Sequence, residues 1–119
     1  MNARMTTRRA QALLWFAQRA SAAVLALAVI VHLATMIVAV RGGLSAGDIL
    51  ARTRGSIGWA TFYATFVVAV AVHAPIGLRV VVGEWGGLRG RGVDVALAAF
   101  GLALLGLGAR AVYAVTVGP

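Results

Sequence analysis

Residues 20–40 read ASAAVLALAVIVHLATMIVAV, a run without a formal charge, a glycine or a proline. A helix rises about 1.5 Å per residue, so a run of this length covers about 30 Å, the thickness of a bilayer's hydrocarbon core. Secretory signals have shorter apolar cores, about 7–15 residues. The basic leader before the run, Met1 to Gln11 with Arg4, Arg8 and Arg9, is therefore expected to precede an uncleaved first span over about 12–40.

Working outward, Arg41 to Gly55 turns abruptly to Gly-Gly, Ser45, Asp48, Arg52 and Arg54, which predicts an extramembrane loop with a helical turn near 46–51. A second span follows over about 56–82, opening on Trp59, Phe62 and Tyr63, residue types that favour the membrane interface. EWGGLRGRG, Glu84 to Gly92, has four glycines among charges and cannot leave its backbone unpaired in hydrocarbon. A third span is expected over about 93–117. The fold class is thus all-α, an integral membrane bundle of three transmembrane helices.

Composition agrees. Of 119 residues, 61% are hydrophobic and 12% charged, against about 25% charged in soluble domains, which excludes a water-soluble or disordered chain. A net charge of +8 raises the possibility of nucleic-acid binding, but the arginines lie between apolar runs and form no dense patch, so no nucleic-acid partner is expected. The absence of cysteine excludes disulfides, thiolate metal sites and covalent c-type haem attachment. Arg4, Arg8, Arg9, Arg19, Arg79, Arg89 and Arg91 fall on one side, against Arg41, Arg52 and Arg54 on the other, which places the N-terminus in the cytoplasm. Apart from Asp94 at the very start of the third, the spans contain no carboxylate of the kind on which proton-coupled transporters rely. Phosphate-binding glycine motifs in a strand-to-helix setting are also missing, and no machinery for group transfer is present.

Ionisable side chains inside spans cost roughly 2.5–3.5 kcal/mol each on insertion scales and mark candidate functional positions. His73 lies twelve residues before Trp85, about 18 Å from the cytoplasmic interface and near mid-bilayer. It shares a helical stripe with Gly77, Val80 and Glu84, and Gly77 makes room for a flat ligand or a neighbouring helix. Pro75 removes a helical N–H and crowds the carbonyl of Ala71, which predicts a local kink. A neutral imidazole at this depth suits an axial haem ligand, and equally a hydrogen bond to another helix.

His32 shares a stripe of small residues with Ser21, Ala28 and Thr35 and can be a second ligand, a proton-relay member or a helix-bonding group. It lies about 25 Å from the interface at Trp15, an offset that argues against one haem bound by both histidines. Arg19 can snorkel to cytoplasmic headgroups or pair with an anion such as a haem propionate, whereas Arg110 is expected to snorkel outward. Gly101, Gly106 and Gly108 are expected to serve helix packing.

Two segments, QRASAAVLALAVIVH (Gln18 to His32) and HAPIGLRVVVGEW (His73 to Trp85), resemble the cytochrome b-type membrane anchors of succinate dehydrogenase and fumarate reductase. The likeness lies in the early Arg and Ser of span one, and in the His, the Gly four residues later and the acidic–aromatic pair of span two. It implies a single membrane-anchor domain over 1–119 of the bacterial cytoplasmic membrane, a subunit with no activity alone. Implied partners are a flavoprotein subunit, an iron–sulfur subunit and a second anchor, and implied cofactors are haem b and a quinone, ubiquinone or menaquinone. By the same resemblance His73 is one axial ligand to the haem iron, with the second anchor supplying the other. Arg19, Ser21 and Trp85 contribute to the haem propionates or the quinone site, and His32 stays a candidate ligand for a second haem. Relatives commonly carry tyrosine at the position of Trp85; an indole N–H donates but does not exchange a proton as a phenol does. The alternative is a haem-free structural or assembly anchor of a respiratory complex.

Overall fold

Alanine, leucine and valine without a helix breaker carry α1 unbroken over Ala3–Arg41. Gly43 stops it: at φ 65° it turns the chain so that Leu44 N–H donates to Ala39 C=O at 3.0 Å and Gly43 N–H to Val40 C=O at 3.1 Å. Helix propensity does not end where the apolar run does, so α1 starts well before Ala12 and carries Arg8 and Arg9 on its first turns. The computed structural model describes residues 3–118, with side chains from Thr7 onward. The side chain of Arg4 and residue Pro119 lie outside the described residues.

Helix α2, Ala46–Thr53, is longer than the single turn expected. It opens on a reciprocal cap in which Asp48 N–H donates to Ser45 Oγ at 3.1 Å and Ser45 N–H donates to Asp48 Oδ2 at 2.8 Å. Helix α3, Ile57–Trp85, starts at Ser56, whose hydroxyl accepts from Trp59 N–H at 3.2 Å, and continues through Pro75. Helix α4 spans Arg91–Thr116. Helices α1, α3 and α4 are each long and apolar enough to cross a membrane, and the architecture is an all-α bundle of three spans.

The three spans form a row. Helix α3 packs antiparallel against both α1 and α4, while α1 and α4 barely touch. Glycine sets the closest approaches. A Cβ at Gly101 would stand 2.9 Å from Pro75 Cγ and 3.1 Å from Ala71 C=O, the carbonyl that Pro75 leaves without its helical donor. A Cβ at Gly108 would collide with Val67, whereas Gly106 faces open space and takes no part in this packing. Buried positions are small, Ser21, Ala28 and Ala69 among them, while large apolar side chains such as Leu27 and Leu102, each 70% exposed, point away from the bundle. Such an arrangement suits lipid, where apolar exposure costs nothing and close backbone approach gains dispersion energy.

Candidate functional site

His73 projects from the middle of α3 toward α1. There Ser21, enclosed at 7% exposure, brings its Oγ within 3.3 Å of His73 Nδ1. The same hydroxyl donates to the backbone C=O of Gln18 at 3.0 Å. His73 Nε2 has no protein partner among the described residues, and it is not sealed from its surroundings. The imidazole is thus satisfied on one nitrogen by a neighbouring helix and free on the other.

One turn along, the space left by Gly77 is taken by a side chain of α1: a Cβ there would lie 3.0 Å from Gln18 Nε2. Of the two uses open to that glycine, room for a flat ligand or for a helix, the second holds at this contact. Gln18 carries no charge or ring to mark it as a site residue in the sequence, and its Oε1 is buried with no partner among the described residues. The signal was available, since an amide three residues before Ser21 shares its helical face.

His32 sits elsewhere. Its ring meets Tyr63 and Phe66 edge-on, with centroids 6.0 and 5.8 Å away, and its Nδ1 is buried without a partner. Tyr63 in turn stacks on Trp59 at 5.6 Å, so the aromatics that open α3 build a cluster around this histidine. His32, Tyr63 and Phe66 join Val67, Gly108 and Val112 in lining an apolar cavity of about 340 Å³ toward the α2 end. The eleven residues from Ser21 to His32 place the two imidazoles roughly 16 Å apart along the bundle, too far for one iron.

Arg19 lies with its guanidinium 5.1 Å above the ring of Trp15, one turn closer to the N-terminal end, the geometry of a snorkelling cation on an aromatic platform. Trp85 closes α3 and is 88% exposed. Beside it is a polar cleft of about 330 Å³ whose lining includes Gln11, Arg79, Glu84, Arg89 and Asp94. Arg79 Nε donates to Asp94 Oδ1 at 2.7 Å, clasping α3 to α4 at this end, a contact that the charge bias of the sequence does not foretell. Twelve residues of α3 separate His73, and Ser21 opposite it, from Trp85, about 18 Å along the axis. The structure therefore joins Ser21 to His73 and does not bring Ser21 and Trp85 together. Arg110 is exposed near the far end of α4.

No group of three or more His, Asp or Glu side chains is gathered to hold a bare metal ion among the described residues. A single open imidazole nitrogen is still the donor that a haem iron takes from one chain. Searches of curated proteins and of solved structures find no match. A family model described as succinate dehydrogenase/fumarate reductase transmembrane subunit matches residues 2–109, nearly the whole chain. This length of match, on a chain with three helices long and apolar enough to cross a membrane, makes the chain a member of the succinate dehydrogenase/fumarate reductase transmembrane subunit family.

Proposed function

We propose that this chain anchors the flavoprotein and iron–sulfur subunits of a succinate:quinone oxidoreductase to the bacterial cytoplasmic membrane, its N-terminus in the cytoplasm. In this reading His73 would hold the iron of a haem b shared with a second anchor subunit. The observation that carries it is the division of labour on one imidazole: Nδ1 bonded to Ser21, Nε2 unpaired and open. A histidine kept only to bond helices would have met its need with Nδ1 alone, which is the case for the haem-free tether; the open Nε2 at mid-membrane favours ligation.

A bound haem would supply a one-electron redox centre. The chain's own residues hold and orient. Arg19, near the level of His73, is long enough to turn from Trp15 toward a propionate. Trp85 offers an indole N–H to a ubiquinone or menaquinone oxygen at the cytoplasmic face. Arg79, Glu84, Arg89 and Asp94 give that face the charged rim on which a soluble arm docks. His32, half-buried against Tyr63 and Phe66 at another depth, is left for a second haem, and its buried, unpartnered Nδ1 makes it the less prepared ligand.

The test is a reduced-minus-oxidised spectrum of membranes in which the chain is produced with its genomic neighbours. A b-type signal lost in His73→Ala and kept in His32→Ala is expected. Retention of the full signal in both variants would leave the tether reading in its place.

A further inference from the structure

A serine hydroxyl has one proton and two lone pairs. In Ser21 the proton is committed along its own helix, to Gln18 C=O at 3.0 Å, the shorter of its two contacts. What Oγ presents to His73 Nδ1 across 3.3 Å is therefore a lone pair, and a lone pair can hold only an N–H. A neutral imidazole has a single ring proton, so protonating Nδ1 leaves Nε2 as the bare donor nitrogen.

We infer that Ser21 is a positioning residue for His73: by accepting from Nδ1–H it sets the tautomer whose Nε2 lone pair is ready to bind metal, and it fixes the plane of the ring. Free histidine in water prefers the opposite tautomer, with its proton on Nε2, so the tautomer here is imposed by the helix opposite. Gln18 extends the device, because its carbonyl draws the serine proton away while its side chain fills the space beside Gly77 and holds α1 in register with α3. The use made of the tautomer rests on the haem-ligand reading; the tautomer itself does not. Once iron is bound, an Nδ1–H that donates to Ser21 makes the imidazole a stronger donor and favours the oxidised metal.

The experiment reads the ring nitrogens directly. The full chain, labelled with isotopic nitrogen in histidine and placed in lipid bilayers without haem, gives ring-nitrogen chemical shifts that distinguish the two tautomers. His73→Gln identifies which signals belong to His73. Wild type and Ser21→Thr, which keeps a hydroxyl, are expected to carry the proton on Nδ1, and Ser21→Ala to shift toward Nε2–H. A wild-type ring already protonated on Nε2, or a Ser21→Ala ring unchanged from wild type, would overturn the inference. In the assembled complex Ser21→Ala is expected to raise the midpoint potential of the b-type signal, with Ser21→Thr close to wild type. A complex without any b-type signal would remove the haem reading while the tautomer measurement still decides the role of Ser21.

Discussion

At the scale of single residues, the chain makes its closest contacts through atoms it lacks. Gly108 has no Cβ where Val67 presses in, while Gly106, two residues earlier, faces open space. The two glycines are hard to tell apart in sequence, yet their substitutions should diverge. Gly108→Ala forces α4 away from α3 and is expected to cost about 1–3 kcal/mol, the usual range for overpacking. Gly106→Ala should be neutral or stabilising by up to about 1 kcal/mol through helix propensity. Equilibrium unfolding of both variants in mixed micelles measures the difference. A Gly108→Ala chain as stable as wild type would mean that the helices do not meet there.

At the scale of elements, α2 is the piece that depends on hydrogen bonds more than on lipid. Its start is held by the Ser45–Asp48 cap. Its end is stapled to α4: Thr53 Oγ1 donates to Val115 C=O at 2.7 Å and Gly55 N–H to Thr116 C=O at 2.8 Å, satisfying carbonyls that the end of a helix leaves open. Thr53→Val keeps the shape and removes the donor, so it is expected to cost about 1 kcal/mol and to increase amide exchange across Ala46–Thr53. The cap adds a pH dependence. Donation from Ser45 N–H, and then from its hydroxyl, holds the Asp48 carboxyl below its ordinary value of 3.8. A depressed carboxyl contributes stability that is fully present above the ordinary value and is lost as pH falls through the lowered one. Protection of the α2 amides, corrected for intrinsic exchange, should therefore fall at pH below about 3.8 in wild type. In Asp48→Ala it should be low and flat across the same range.

At the scale of the whole molecule, the row of α1, α3 and α4 leaves broad faces uncovered, as expected of a subunit finished by lipid and by other chains. Orientation is testable with little disturbance because the chain has no cysteine of its own. With the basic end in the cytoplasm, Leu88→Cys in the α3–α4 loop should react with a membrane-impermeant maleimide only after permeabilisation. Gly47→Cys in α2 should react in intact cells. The reverse pattern would turn the anchor over and place the polar cleft beside Trp85 on the wrong side for a cytoplasmic soluble arm.

Reading from residue order alone reached the three apolar helices, the loops between them and His73 as the side chain in need of a partner, because span length, loop glycines and a lone imidazole in hydrocarbon are local properties. It also reached the family, through motifs whose spacing survives without any contact being known. Residue order was silent on which of two uses Gly77 serves, on Gln18 filling that space, on the aromatic ring of contacts around His32 and on the Arg79–Asp94 clasp. Ser21 stood in it as a residue of the quinone site, and the folded chain pairs it with His73 fifty-two positions away. These depend on the axial register and rotation of one helix against another. Lipid-facing helices packed through small residues leave that register without a hydrophobic stripe to announce it, so it emerges only when the backbones close.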